Sequence, residues 1–195
     1  MGGELLTARV LLLDQLSVNL KREIFMKKTA AKAKTAAKSK NAMPAEDAPD
    51  AIAYLESQHR EVEELFKKMD ELSDRAHKSR GVIFEEIAHK LTNHAKIEEL
   101  IFYPEGKDVD KDMTLEAYEE HDVVKQLIAK IKRTETSDET YMAKVTVLKE
   151  VVEHHVKEEE EEYFPKTRKD FGAEHLKELG AELKSKFEKL EAKYA

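Results

Sequence analysis

The chain of 195 residues contains no cysteine and no tryptophan, and only six glycines and four prolines. Without cysteine there can be no disulfide, no cysteine-based zinc site, no iron–sulfur cluster and no thiol nucleophile. Any metal must be held by His, Asp, Glu or water. The scarcity of Gly and Pro removes most of the turns that a β protein needs, while 38% charged and 41% hydrophobic residues suit long helices with charged outer faces. Long apolar runs are also lacking. Nothing reaches the roughly 18 to 20 residues of a membrane span, and the N-terminal run at residues 10–13 stops at Asp14, short of the roughly 7 to 15 residues of a signal-peptide core. These absences predict a soluble, cytoplasmic, all-α protein with no membrane partner.

Charge divides the chain. Residues 27–45 carry six lysines and no acid, whereas residues 46–195 hold 25 basic and 38 acidic side chains, a net of −13. The acidic part disfavours nucleic acid, leaving the lysine-rich segment as the only stretch suited to a polyanion. Residues 1–25 have weak helical character. Because Met26 opens "MKKTAAKAKTAAKSK", they read as an upstream extension, and residues 26–48 read as a flexible, disordered tail with too little apolar surface to order.

From Asp50 a helical period takes over. Asp50 caps a first helix reaching about residue 72, with Ile52, Leu55, Val62, Phe66 and Met69 on one stripe. A second spans about 81–103, with Ile83, Ile87, Leu91 and Ile101 inward, ended by Pro104 and Gly106. The third covers about 113–133 through Tyr118, Val124, Ile128 and Ile131. The fourth starts after Ser137 or Asp138, uses Tyr141, Val145, Leu148 and Val152, and closes near Pro165. Four helices with short connections predict an antiparallel up-down four-helix bundle over residues 49–168. A C-terminal amphipathic helix, about 173–194 within residues 169–195, is added to it.

Two stretches conflict with a plain apolar core. "HVKEEEEEYFP", from His155, puts five glutamates in a row on a helix, so at least one carboxylate must face inward. "HAKIEELIFYP", from His94, matches it at the His, at Lys+2, at Glu+4 and Glu+5 and at Pro+10. "QHREVEELFKKM" from Gln58 pairs likewise with "EHDVVKQLIAKI" from Glu120, aligning His59 with His121. The His59 to His94 spacing of 35 residues and the His121 to His155 spacing of 34 make helices one and two a repeat of helices three and four.

The repeated polar residues continue the inward stripes. Residues i and i+4 differ by only about 40° around a helix, so His94 and Glu98 point one way, as do His155 and Glu159. A lone inward histidine is usually a satisfied core residue, and a glutamate run is usually a solvated face. Repetition on four stripes calls for more than that. Four imidazoles and two carboxylates aimed at one interior are costly to bury unpaired, and two divalent cations would resolve the conflict, with Glu98 and Glu159 bridging. Of the five glutamates Glu159 is then the buried one, and Glu158, Glu160, Glu161 and Glu162 face solvent. His154 and Glu158 share the same spacing, but the proline alignment and the 145, 148, 152 stripe favour His155 and Glu159. His77, His89 and His175 fall outside the pattern.

At these residues, above all "NHAKIEELIFYP" and "HHVKEEEEEYFP", the chain resembles the hemerythrin-like family, the HHE cation-binding domain, over about residues 50–168. The resemblance implies a four-helix bundle around a non-haem centre of two Fe ions, with His59, His94, Glu98, His121, His155 and Glu159 as the metal ligands and Mn or Zn as substitutes. It also implies that the chain binds or senses O2 or a related diatomic such as NO, or handles iron. The alternatives are a di-iron oxidase, peroxidase or nitric oxide reductase-like enzyme, and a structural bundle with a stabilising metal. Oxygen-carrying hemerythrins have a second histidine four residues after the third-helix one, and Lys125 stands there in this chain. That departure favours sensing, iron handling or slow oxidation over reversible carriage. The His-Glu-x-x-His of zinc proteases is absent.

Overall fold

The structure, a computed structural model, describes residues 49–192; the expectations for residues 1–48 lie outside them. Among the described residues every regular element is helical: α1 (Ala51–Asp70), α2 (His77–Ile97), a π turn π1 (Glu98–Phe102), α3 (Tyr103–Gly106), α4 (Lys111–Lys132), α5 (Tyr141–Glu158), a second π turn π2 (Glu159–Tyr163) and α6 (Phe164–Glu191). The four rods of the bundle are α1, α2 with π1 and α3, α4, and α5 with π2. α1 packs on α2 and α4 on α5, so the bundle is two hairpins, and α6 lies against α1 and α2.

The rods begin and end for local reasons. The Asp50 carboxylate accepts from the Ala53 N–H at 2.8 Å and starts α1, and Asp110 does the same for α4 through Met113. Lysines in the last turns of α1 and α4 suit the negative end of the helix dipole. α6 bends at Gly172, whose φ of 72° and ψ of 165° suit a residue with no Cβ.

Pro104 and Pro165 do not end their helices as the sequence predicts. Each follows a π turn in which an N–H bonds five residues back, Tyr103 to Glu98 and Phe164 to Glu159. The wider turn interrupts the α ladder just before the proline, so the missing N–H falls at the start of a new α segment, where a donor has no intrahelical partner. The extra residue also rotates the inward face. Ile101 is only half-buried, while Phe102 and Tyr103 are buried completely.

Two apolar clusters result. One, built on Val62, Phe66, Met69, Phe84, Ile87, Leu91, Val124, Ile128, Tyr141 and Leu148, fills the bundle at one level. The other joins Ile52, Leu55, Ile97, Phe102, Tyr103, Tyr163 and Phe164 to Leu176, Leu179 and Leu183 of α6. Gly180 allows that close approach, since a Cβ there would collide with the Pro49 carbonyl. Along every rod a polar residue lies between the two clusters: His59 between Leu55 and Val62, His94 and Glu98 between Leu91 and Phe102, His121 between Ala117 and Val124, and His155 and Glu159 between Val152 and Tyr163. Apolar layers above and below seal a polar one.

Candidate metal centre

The six side chains singled out in the sequence meet in that layer, all of them buried and Glu98 completely so. They form two sets that share Glu98, one of His59, His94, Glu98 and Glu159 and another of Glu98, His121 and His155. The ring atoms Nε2 of His59 and His94 approach to 3.1 Å, and those of His121 and His155 to 3.2 Å. Glu98 Oε2 lies 3.1 Å from His94 Nε2 and 3.4 Å from His121 Nε2. Glu159 Oε2 lies 3.4 Å from His59 Nε2 and 3.6 Å from His155 Nε2. Each carboxylate thus spans from one hairpin's histidine pair to the other's.

Every imidazole is oriented from behind. His59 Nδ1 is held by Glu160 at 2.8 Å, His121 Nδ1 by Glu99 at 3.1 Å, His94 Nδ1 by the Gln58 carbonyl at 2.8 Å and His155 Nδ1 by Glu120 at 2.7 Å. These acceptors take the Nδ1–H, which leaves the Nε2 lone pairs facing inward. Ring stacking supports the same poses, with Phe164 parallel to His59 at 6.0 Å and Tyr103 over His121 at 5.3 Å. The Tyr103 hydroxyl donates to Glu159 Oε1 at 2.9 Å, and burial together with Glu159 and Glu98 keeps that phenol protonated by pushing its pKa well above 10.

The donor set fits cations. Two inward lone pairs about 3 Å apart repel unless a proton or a cation lies between them, and both oxygens of Glu98 and Oε2 of Glu159 are buried without a hydrogen-bond partner. Protons meet this demand only in part. Burial opposes charge on His59 and His121, but the carboxylates of Glu159 and Glu160, and of Glu98 and Glu99, outweigh it and hold both pKa values up to about 9. Burial prevails at His94, whose pKa is lowered, while the Glu98 carboxyl is held well below its usual range because His94 and His121 outweigh its own desolvation.

The sequence reading missed the orienting shell. Glu160 does not simply face solvent, because one of its oxygens is drawn to His59 Nδ1 and Arg60. Glu99 and Glu160 are matching positions of the repeat, directly after Glu98 and Glu159, and Gln58 and Glu120 match directly before His59 and His121. The alignment that exposed the inner six therefore contained this signal as well. His154 points outward, 61% exposed, and His77, His89 and His175 bond to Thr136, Glu191 and Glu105 away from the cluster. Lys125 also points away, to Glu99 and Asp122. A groove of about 540 Å³ between α1 and α5 leads inward to His59, His94, His121 and His155 past Val62, Phe66, Leu91, Val124 and Val152.

A four-helix bundle that brings paired imidazoles and shared carboxylates into one buried layer has the donors of a cation-binding helical protein. The chain belongs to the hemerythrin family: the hemerythrin HHE cation binding domain matches residues 50–167. A crystal structure of a hemerythrin HHE cation binding domain-containing protein from Mycobacterium kansasii superimposes with a TM-score of 0.67 at 25% identity, covering 74% of this chain and 89% of that one. A curated DNA nickase from Nostoc sp. (strain PCC 7120 / SAG 25.82 / UTEX 2576) is 28% identical over 134 residues. That match covers 68% of this chain but only 38% of the nickase.

Proposed function

We propose that the chain holds two iron ions through His59, His94, Glu98, His121, His155 and Glu159, and uses them to bind or sense O2 or a related diatomic such as NO. The observation that carries this reading is the pair of carboxylates, each within 3.6 Å of one Nε2 from either hairpin. One imidazole pair per cation and two carboxylates between them is a donor set suited to iron, with Mn or Zn as competitors. Iron bound there would supply reversible one-electron chemistry toward diatomics.

The chain's own residues account for the rest. Glu160, Glu99, Gln58 and Glu120 fix the rings, and the groove, lined by charged side chains such as Arg60, Lys67 and Lys149 as well as by Val62, Phe66, Leu91, Val124 and Val152, gives a small molecule a route to the four imidazoles. Tyr103 holds Glu159 in place through its hydroxyl. With Lys125 turned outward, the second set has two histidines and no third. This favours sensing or iron handling over stable carriage. It also leaves room for an enzyme of the oxidase, peroxidase or nitric oxide reductase type.

Anaerobic iron reconstitution followed by stopped-flow mixing with O2 or NO tests the proposal. One spectral change per pair of irons, complete in a single turnover, supports binding or sensing. Repeated turnover with peroxide or NO supports the enzyme, and no response to either gas rejects the diatomic role. The nickase relative offers a DNA-cleaving reading, which the net charge of −13 over residues 46–195 opposes; failure to nick supercoiled plasmid would remove it.

A further inference from the structure

The repeat is symmetric at the inner six residues but not one shell out. α6 lies against the first hairpin, where Asn93 donates to Glu191 at 2.6 Å and Ile97 is fully buried. The same positions of the second hairpin are His154 and Glu158, and the match of Gln58 is Glu120. So an amide, a hydrocarbon and an amide in one half stand against an imidazole and two carboxylates in the other. On this second face His154 is exposed, while Glu158 and Glu120 are partly buried beneath it.

The three side chains come together across two helices. His154 Nε2 lies 3.6 Å from Glu120 Oε1 and 3.4 Å from Glu158 Oε1, and one donor atom from each falls within 4.8 Å of the others. The i, i+4 spacing places His154 and Glu158 on one helical face, as it does His155 and Glu159 inside. Among the described residues, no lysine or arginine forms an ion pair with Glu120 or Glu158; their charged partners are imidazoles alone. Glu120 faces both ways, since its Oε2 accepts from His155 Nδ1 at 2.7 Å.

We propose that Glu120, His154 and Glu158 form a third, solvent-exposed site for a divalent transition-metal cation, joined to the inner cluster through the two oxygens of Glu120. One imidazole and two carboxylates suit Zn2+, Mn2+ or Fe2+, and three protein donors leave the remaining positions to water. Such a site exchanges its cation readily, which suits first capture of a metal on the surface. It sits one carboxylate away from a residue of the inner layer.

Calorimetry of the full chain with Zn2+, beside the H154A/E158Q variant, reads the site directly. Wild type is expected to show one more binding event per chain than the variant, at least tenfold weaker than any inner event, while both melt alike because His154 is exposed and Glu158 only partly buried. Equal numbers of events would overturn the proposal. The E98Q/E159Q variant disables the inner cluster and leaves the outer three untouched. Persistence of the weak event there, with Mn2+ broadening the His154 ring resonances, supports an independent outer site even if the inner cluster takes no metal. Loss of both signals in that variant would overturn it.

Discussion

At the scale of single residues, function rests on side chains that would destabilise the bundle if nothing lay between them. Glu98 is the extreme case, a fully buried carboxylate with neither oxygen hydrogen-bonded and two imidazoles within 3.4 Å. Glu98→Ala is expected to cut bound iron from two per chain to fewer than one while leaving helix content unchanged, as read by metal analysis beside circular dichroism. The orienting residues should matter less. Glu160→Gln and Glu120→Gln preserve shape but weaken the acceptors behind His59 and His155, and each should lower metal affinity by roughly 10- to 100-fold, measured against a competing chelator. Gln58 already holds His94 with a neutral carbonyl, so Gln58→Glu should tighten rather than weaken binding. An equal loss in all three variants would contradict the orienting role.

At the scale of elements, the two π turns decide which side chains reach the centre. Each starts at a buried glutamate of the polar layer, Glu98 or Glu159, and ends one residue before a buried aromatic that stacks on a histidine, Tyr103 on His121 and Phe164 on His59. Helical periodicity predicted four rods, their inward stripes and the six central residues, because those features follow from a 3.6-residue repeat and from internal duplication. A widened turn obeys neither, which is why Ile101 was expected inward where Phe102 and Tyr103 are buried, and why Pro104 and Pro165 read as stops. The roles of Glu99 and Glu160 were hidden for a related reason, since a run of glutamates does not reveal which carboxylate a distant ring nitrogen will claim. The seat of α6 has its own test. Gly180→Ala drives a Cβ into the Pro49 carbonyl and should cost about 1–3 kcal/mol. Gly172→Ala, strained by its φ of 72°, should cost about the same by a different route. Both would appear as lower melting temperatures, and an unchanged Gly180→Ala variant would mean that α6 does not pack closely on the start of α1.

At the scale of the whole molecule, protons and cations compete for one polar layer between two apolar clusters. In the metal-free chain His59 and His121 have pKa values of about 9 against an ordinary 6.5. A raised folded-state pKa contributes stability that is fully present below pH 6.5 and is lost as pH rises through 9; His94, lowered by burial, acts in the opposite sense as pH falls. Metal-free protein should therefore lose melting temperature between about pH 6.5 and 9, whereas loaded protein should not, because cations replace those protons. Metal affinity should rise over the same window, and chelation at pH 8 should lower the melting temperature more than chelation at pH 6. Pair formation itself is tested most directly by anomalous diffraction at the iron edge on crystals of anaerobically loaded protein. Two peaks are expected within the layer, roughly 3.5–4 Å apart, one beside His59 and His94 and one beside His121 and His155, with Glu98 and Glu159 between them. A single peak, or peaks only outside this layer, would contradict the account.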